Sequence, residues 1–450
     1  MKQNVVAPPT RGPNKPLDDL SRVLESGQIN ILWVGKVNDI ALPGSSPRRI
    51  RQTNVAAALR SLYTFGRMSR ADLARRLGLN RSSSGQIVGE LTESGFVHEV
   101  EDLSDRKGEQ SRAGRPGILL ELVPDAAVFF GIEIGVEHIT AVIIDLCGQV
   151  QSFRTQAFDA PSKTVEQAVN QAFQLALGGI DDSVLQRCRG LGLSAPAHVN
   201  AQGFVSLAPI IGWRNVPLSQ IAKAAFPFDV PIIVENDANA FAIGDSYKHG
   251  PSGVTLFLLM ETGVGGGVLI DGKLFRGGHG LAGEIGHTLV PGSGGQRFEQ
   301  LIGREALVSQ YRLATENSTV DLDDFLNDVR DRVPDAVTIA ETWSRHLALA
   351  LTQACRLLDP DRIVLGGSVA SLYPMVSARV AVYMAEGQEI AFPAPQIVVD
   401  EDAELGSAFG AACLLHQRFM SLESDAFAND DTTQIGAVGG EGPLPPNDER

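Results

Sequence analysis

The spacing of hydrophobic residues changes near residue 122, from a period typical of short helices to longer runs typical of buried strands. The segment 61–100, SLYTFGRMSRADLARRLGLNRSSSGQIVGELTESGFVHEV, contains three helical patterns with short breaks. The last two carry apolar residues three or four positions apart, Leu73, Ala74 and Leu77 on one and Ile87, Val88 and Leu91 on the other. Such residues share one helix face. The turn LGLN between them therefore predicts two short helices packed together as a helix-turn-helix.

The second of these helices has the features of a DNA-reading helix. Ser69 with Asp72 forms a capping-box pattern before the first helix, and Asn80 is placed to cap the second. Residues at the N-terminal end of the second helix then face outward, where recognition residues enter a major groove. The DNA contacts predicted here are Arg70, Asn80, Arg81, Ser82, Ser83 and Gln86.

Two extended runs follow, GFVHEVEDL and SRAGRPGILLEL, joined by a charged loop. They predict a β-wing in which Arg112 and Arg115 reach a minor groove or phosphates. Residues 48–92 hold nine arginines and two acidic residues, a local charge of +7 in a chain of net charge −15. A basic segment in an acidic protein indicates nucleic-acid binding. The alternative is a solvated basic face without a partner.

Beyond residue 122, apolar β-branched runs alternate with longer helical stretches, which is the pattern of an α/β fold. The runs are VFFGIEIG, ITAVIID, GLGLSAP, PIIVEND, TLFLLMETG, GGVLIDG and RIVLGGS. Helices are predicted at 165–177 and 340–358. Strand clusters before and after Asn236 predict two lobes with a cleft between them, and clefts of this type bind small molecules.

Composition narrows the class of protein further. A chain of 450 residues with 44% hydrophobic content can bury two or three cores. No apolar run approaches the roughly 18 residues of a membrane span, and no signal peptide opens the chain, so we expect a cytoplasmic protein without a membrane partner. The four cysteines, Cys147, Cys188, Cys355 and Cys413, lie far apart, which fits a reducing compartment and buried apolar roles.

Six segments occur in an order that resembles the ROK family of repressors and sugar kinases. They are FFGIEIGVEHITAVIID, VENDANAFAIGD, METGVGGGVLIDGKL, GLAGEIGH, RIVLGGS and ELGSAFGAA. The resemblance covers residues 48 to 415. It implies an α/β fold in which an N-terminal winged helix-turn-helix precedes a two-lobed actin-like ATPase domain, and it leaves open whether the chain is a kinase or a regulator.

The family's kinases carry a motif at each phosphate contact, and this chain departs from both. Where they have a DIGGT-type turn, the matching positions are Glu133, Gly135, Val136 and Glu137, and their GTG loop is ETG, beginning at Glu261. A like charge a few ångströms away costs about 4 kcal/mol at an effective dielectric constant near 20. We therefore expect ATP binding and kinase activity to be lost. The alternative is a Glu261 turned outward into solvent, which leaves the loop amides usable.

The sugar half of the cleft is better preserved in this resemblance. Asn236 and Asp237 match the family's ND pair, whose Asp is the kinases' general base, so Asp237 is a vestigial general-base position and no catalytic residue is expected. Glu284, His287 and Glu299 match sugar-contacting residues, and carboxylates with imidazole suit the paired hydroxyls of a sugar. Taken singly, each has a structural alternative, such as helix capping by Asp237 or an i,i+3 pair of Glu284 with His287.

Two departures limit what the resemblance implies. Many family members follow EIGH with cysteines that hold a structural zinc together with the His, but HTLVPGSGGQRFEQ contains no cysteine, so we expect no metal and no cofactor. In LAPIIGW, Ile210 and Ile211 stand where family members often have an Asn. One hydrogen bond to the sugar is therefore expected to be missing.

These patterns predict four regions: a mostly flexible N-terminal extension (1–47), a winged helix-turn-helix (48–122), a ROK-type sugar-binding domain (123–420) and a disordered acidic tail (421–450). The predicted function is a sugar-responsive transcriptional repressor that binds operator DNA as a homodimer or higher homo-oligomer. One alternative is an ATP-dependent sugar kinase with an added DNA-binding module. Another is a repressor controlled by a protein partner instead of a sugar or sugar derivative.

Overall fold

The computed structural model describes residues 47–101, 118–250, 253–387, 393–400 and 405–421. The predicted N-terminal extension up to residue 46, the tail from residue 422 and the wing loop with Arg112 and Arg115 lie outside these ranges. Within them, no helix combines the length and the apolar character that a membrane span requires.

Three helices and three short strands form the N-terminal module. They are α1 (Pro47–Phe65), β1 (Met68–Ser69), α2 (Arg70–Leu77), α3 (Arg81–Glu93), β2 (Val97–Glu101) and β3 (Ile118–Leu122). The strands form an antiparallel sheet in the order β1-β3-β2. This arrangement is that of a winged helix-turn-helix, as the helical pattern and the two extended runs predicted.

Both predicted helix caps of this module are present. Ser69 Oγ accepts a hydrogen bond from the Asp72 backbone N–H at 3.1 Å, and Asn80 Oδ1 accepts one from Ser83 N–H at 2.8 Å. Gly78 ends α2 in the left-handed conformation, with φ of 64°, which glycine adopts without strain. The apolar residues buried between the helices are Leu73, Ile87, Val88 and Leu91.

The first lobe is built on a five-stranded sheet and a smaller sheet at its edge. The large sheet contains β4 (Val128–Ile134), β5 (His138–Asp145), β6 (Val150–Ala157), β7 (Cys188–Ala195) and β11 (Ile232–Asn236), in the order β11-β7-β4-β5-β6. The small sheet contains β8 (His198–Val199), β9 (Val205–Ala208) and β10 (Trp213–Val216). The helices of this lobe are α4 (Val165–Leu177), at the predicted bounds, α5 (Asp182–Leu185) and α6 (Leu218–Ala225).

After α7 (Asp237–His249), the second lobe repeats the plan with a second five-stranded sheet. Its strands are β12 (Val254–Met260), β13 (Val264–Ile270), β14 (Lys273–Leu274), β15 (Arg362–Gly366) and β16 (Gln396–Val399), in the order β14-β13-β12-β15-β16. Its helices are α8 (Glu299–Ile302), α9 (Arg304–Thr315), α10 (Leu322–Arg330), α11 (Pro334–Leu358) and α12 (Tyr373–Glu386). Helix α11 begins earlier than the predicted residue 340 because Pro334 suits a first helical turn, where its missing N–H costs nothing.

Helix α7 and the last helix, α13 (Gly406–Phe419), pack on each other at glycines. A Cβ on Gly410 of α13 would overlap the carbonyl oxygen of Ala240 in α7. Gly131 of β4 and Gly192 of β7 allow the same close approach of α13 to the first sheet. These contacts bring backbone against backbone, so the position of α13 is set by its neighbours on two sides.

The winged helix packs directly on the end of α13. Leu59 and Leu62 of α1 belong to the same hydrophobic core as Phe419 and Met420. The Arg60 guanidinium donates to the carbonyl oxygen of Met420 through Nε at 3.2 Å and Nη2 at 3.0 Å. The DNA-binding module and the two-lobed domain therefore share a core.

The glycine contact yields a stability prediction. Gly410→Ala is expected to lower the free energy of unfolding by about 1–3 kcal/mol, because a methyl group there forces α7 and α13 apart. Gly89→Ala in α3 is the control: a Cβ there meets open space, so this variant should gain about 0.5–1 kcal/mol. Urea unfolding followed by circular dichroism measures both. Equal destabilisation by the two substitutions would contradict the packing argument.

Candidate functional site

A cavity of about 600 Å³ lies between the two lobes. It is lined by all five residues predicted to contact a sugar, Asn236, Asp237, Glu284, His287 and Glu299. They come from the start of α7, the segment after β14 and the start of α8. The fold thus brings the predicted residues into one place, and their contact with a sugar remains a prediction.

Asn236 has a structural role at this site. Its Oδ1 caps α7 by accepting from Asn239 N–H at 3.0 Å, and its amide donates to the carbonyl oxygen of Ala197 at 3.2 Å and to Asp237 Oδ1 at 3.0 Å. The capping considered for Asp237 therefore belongs to Asn236. Asp237 Oδ1 also accepts from Ala238 N–H at 2.8 Å, so the carboxylate is held in place by its neighbours.

The cavity has a strongly negative electrostatic environment. Burial raises the pKa of Asp237 to about 7, and the charges of Glu133 and Glu284 add to this rise. The pKa of His138 is also raised, first by the Glu133 carboxylate beside its ring and further by Glu261 and Glu137. Among the described lining residues there are seven carboxylates and two arginines. Such a cavity favours neutral or cationic ligands over a polyphosphate.

Glu261 is turned toward the protein and not into solvent. It opens the tight turn between β12 and β13, where its N–H donates to the carbonyl oxygen of Gly263 at 2.9 Å. Its Oε1 accepts from Ser368 N–H at 2.5 Å and its Oε2 accepts from Ser368 Oγ–H at 2.7 Å. The Glu261 carboxylate therefore accepts the hydrogen bond of the Ser368 backbone N–H, which follows β15.

Glu137 forms an ion pair across the cleft with Arg304. Arg304 Nη2 lies 2.9 Å from Oε1 and 2.8 Å from Oε2 of Glu137. Glu137 lies in the turn between β4 and β5 of the first lobe, and Arg304 begins α9 of the second. The repulsion expected from Glu137 is thus offset by a cation that the sequence did not identify. An exposed pair of this kind contributes about 0–1 kcal/mol, so its importance lies in its position.

The two isoleucines of LAPIIGW contribute apolar surface. Ile210 lines the cavity and contacts the second lobe, since a Cβ on Gly263 would lie 2.9 Å from Ile210 Cδ1. Ile211 is buried in the core of the first lobe. Neither side chain can replace an Asn hydrogen bond, and Ile210 instead lies against the β12–β13 turn.

At the other end of the cavity, histidines and carboxylates are spaced for a ligand. His287 Nε2 lies 3.8 Å from Glu284 Oε2 and 3.9 Å from Glu299 Oε2, and His198 Nε2 lies 3.6 Å from Glu284 Oε1. These distances are too long for hydrogen bonds between the side chains, and a hydroxyl oxygen placed beside one of these pairs could reach both of its members. His198 was not predicted, although it follows the end of buried strand β7, where α/β proteins bind ligands.

A zinc site of the cysteine-containing type does not fit this chain. Residues 288–298 contain no cysteine, and they return to His287 as a tight hairpin. The Nδ1 atom of His287 accepts a hydrogen bond from Arg297 Nη1 at 3.0 Å. A cationic guanidinium therefore lies beside this nitrogen.

The candidate DNA face lies at the start of α3. The exposed predicted contacts are Arg70, Arg81, Ser82 and Gln86. Ser83 is half-buried, and Asn80 uses its side chain as the helix cap. Arg70 pairs with Glu99 of β2 at 2.8 Å, an exposed ion pair weak enough to exchange for a phosphate.

Two lobes with a cleft between them are the actin-like fold that sugar kinases and repressors share. The ROK family model matches residues 129–418, and the chain belongs to the ROK family. A xylose repressor of Caldicellulosiruptor bescii is 30% identical over 251 residues, covering 54% of this chain and 59% of that protein. A glucokinase of Streptomyces coelicolor is 33% identical over 272 residues, covering 53% of this chain and 81% of that protein. Repressors and kinases are thus both among the relatives.

A solved structure agrees with this assignment over a longer span. The crystal structure of a ROK family transcriptional regulator, a homologue of the E. coli MLC protein, superposes with a TM-score of 0.66 at 20% identity. The superposition covers 84% of this chain and 100% of the regulator's chain. This likeness confirms the fold class, a winged helix-turn-helix joined to a two-lobed actin-like domain.

The raised pKa of Asp237 predicts a pH-dependent stability. Its carboxyl is neutral in both states only well below the ordinary carboxyl pKa of about 4, and the cost to folding grows as the pH rises from about 4 to about 7, above which it stays constant. Asp237→Asn should therefore unfold at a higher temperature than wild type at pH 8, with a gap that narrows toward pH 4. Thermal unfolding without ligand measures this. Asp229→Asn, at an exposed carboxyl, is the control, and a pH-independent gap for Asp237→Asn would contradict the assignment.

Proposed function

We propose that the protein is a ROK-family transcriptional repressor that binds operator DNA through its winged helix, as a homodimer, and a neutral sugar in the interlobe cavity. One observation carries the proposal. Carboxylates and imidazole lie together at the end of the cavity predicted to bind a sugar, whereas at the predicted phosphate contacts the protein's own groups pair with each other, Glu137 with Arg304 and Glu261 with Ser368.

Kinase activity is lost, in this proposal, on the nucleotide side of the cleft. Asp237, with a pKa near 7, remains suited to accept a proton. A nucleotide, however, would have to break the Glu137–Arg304 pair and enter a cavity lined by seven carboxylates. Val136 and Ile210 add apolar side chains to the lining of the same cavity.

The proposed effector is a neutral aldose. Relatives named xylose repressor make D-xylose the first candidate. The carboxylates of Glu284, Glu299 and Asp237 accept hydrogen bonds from hydroxyl groups. Sugar phosphates and sugar acids add a negative charge to an already negative cavity, so they are expected to bind poorly.

Two helices support a route from the cavity to the winged helix. Both α7 and α13 begin at the cavity, where Asp237, Gly406 and Ser407 are lining residues. Both end near α1. There, Tyr247 Oη donates to His416 Nδ1 at 2.9 Å, and His416 Nε2 donates to the carbonyl oxygen of Leu146 at 2.8 Å.

Tyr63 of α1 completes this contact. Its ring centroid lies 4.9 Å from that of His416 and 6.2 Å from that of Tyr247. Burial lowers the pKa of His416 to about 4, so the ring is neutral near pH 7 and its hydrogen bonds are fixed. A shift of α7 against α13 on sugar binding would therefore move α1, and the α3 helix packed on it. Allosteric couplings of this kind are typically about 1–3 kcal/mol.

The two proposed binding activities are separable by mutation. Arg81→Ala should weaken operator binding about 10-fold, since it removes an exposed side chain of the groove-facing helix, without changing sugar affinity. Glu284→Ala should weaken sugar binding and leave sugar-free DNA binding intact. Fluorescence anisotropy on DNA upstream of the protein's own gene, at one fixed salt concentration, and calorimetry with D-xylose and a panel of pentoses, hexoses and amino sugars measure both.

Three outcomes would contradict the proposal, the first of them in a separate assay of ATP turnover with the same sugars. ATP turnover with any of these sugars would make the protein a kinase with a DNA-binding module. DNA binding that no sugar alters, together with no sugar binding, would favour control by a protein partner. Loss of both activities in both variants would show that the modules are not separable.

The α7–α13 route makes a further prediction. Tyr247→Phe should leave the sugar and DNA affinities within about 3-fold of wild type while reducing the effect of saturating sugar on operator affinity, because His416 Nδ1 loses its donor. Tyr311→Phe, which removes a buried hydroxyl bonded to Asp328 in the second lobe, is the matched control. An unchanged sugar effect in Tyr247→Phe would exclude this contact as the route.

A further inference from the structure

The hairpin after His287 brings Arg297 back to that histidine. Leu289 and Arg297 form an antiparallel bridge, and Val290 N–H donates to the carbonyl oxygen of Gln296 at 2.9 Å. Ser293 closes the turn: its Oγ–H donates to the carbonyl oxygen of Val290 at 2.8 Å and its Oγ accepts from Gln296 N–H at 3.0 Å. Val290 and Phe298 anchor both ends of the hairpin in the core. Arg297 is therefore placed by a structured turn, although its own side chain is half exposed.

The contact of Arg297 with His287 determines where the imidazole proton lies. A guanidinium has only N–H donors, so His287 Nδ1, 3.0 Å from Arg297 Nη1, must offer its lone pair. In the neutral imidazole the proton is then on Nε2. That nitrogen is the one near Glu284 Oε2 and Glu299 Oε2, at 3.8 and 3.9 Å.

We propose that Arg297 is a positioning residue that fixes His287 as an Nε2–H donor toward a ligand hydroxyl, and that it thereby makes this end of the cavity a hydroxyl site instead of a metal site. The inference rests on the proposed sugar-binding function for its ligand. A hydroxyl between His287 and Glu284 accepts a hydrogen bond from the imidazole and donates one to the carboxylate, so each partner is matched.

The competing occupant is a divalent cation. His198, Glu284 and His287 each place a ligand atom within 4.8 Å of the others, and two imidazoles with one carboxylate are a common metal-binding set. A metal on His287 Nε2 needs the lone pair of that nitrogen. Because Arg297 keeps the proton there and adds a positive charge nearby, it opposes metal binding. Without Arg297, the same three residues become free to bind a metal.

The test uses the full chain with Arg297→Gln and with the conservative Arg297→Lys, which keeps a charged donor. Arg345→Gln, on the exposed face of α11, is the matched control. Nitrogen-15 NMR of the imidazoles, with the His287 signal assigned by its loss in His287→Gln, reports the tautomer directly. We expect only the Nε2–H form in wild type, a mixture in Arg297→Gln and partial recovery in Arg297→Lys.

Two binding measurements complete the test. D-xylose affinity should fall about 10-fold in Arg297→Gln and recover in part in Arg297→Lys. Zn²⁺ titrated as a probe should bind Arg297→Gln at least 10-fold more tightly than wild type, and this gain should disappear when His198→Ala is added. The NMR and zinc results need no sugar, so they hold even if the proposed effector is wrong.

Three results would overturn the proposal. They are an Nδ1–H tautomer of His287 in wild type, a tautomer unchanged by Arg297→Gln, or a wild type that binds Zn²⁺ through His198 as tightly as the variant. Failure of wild type to bind any sugar, with the tautomer and zinc results as expected, would instead contradict the proposed effector and leave the positioning role of Arg297 in place.

Discussion

The close packing of α7 against α13 is the contact on which the rest of the structure depends. Gly410 lets the two helices touch backbone to backbone, and Gly131 and Gly192 do the same between α13 and the first sheet. Close-packed interiors transmit displacement because they have no space to absorb it. The N-terminal ends of both helices line the cavity, and their C-terminal ends contact Tyr63 of the winged helix through Tyr247 and His416. The cavity and the winged helix are thereby joined by one closely packed pair of helices.

In the proposed function, the charge of the cavity distinguishes this chain from a kinase more clearly than any single motif does. Carboxylates suit sugar hydroxyls, but they repel a nucleotide, so a kinase must balance them with cations or backbone donors. Here the donors are already in use. Glu261 accepts from Ser368, and Arg304 is paired with Glu137 across the cleft. Burial raises the pKa of Asp237 and the nearby carboxylates add to that rise, while the Glu133 carboxylate raises the pKa of His138.

Family motifs predicted five residues that the fold brings together at one cavity. Asn236 and Asp237 start α7, and Glu299 starts α8. His198, Arg297 and Arg304 were missed. His198 lies near Glu284, and Arg304 pairs with Glu137, although both partners are far away in sequence. Arg297 contacts His287 across a turn whose geometry no sequence pattern specifies. For the same reason, the sequence did not show that Glu137, which was expected to repel a nucleotide, pairs with Arg304.

The sequence by itself determined the α/β class, the order of the modules and the helix caps of the helix-turn-helix, because these depend on local periodicity and short motifs. The two-lobed fold and the predicted sugar contacts followed from the resemblance to the ROK family. Only the tertiary structure decided which groups pair. It turned Glu261 inward, joined the lobes through Arg304, assigned the imidazole proton of His287 to Nε2 and packed the winged helix on the end of α13. Hydrogen bonds and ion pairs act over about 3 Å, and separation along the chain says nothing about such distances until the core has formed.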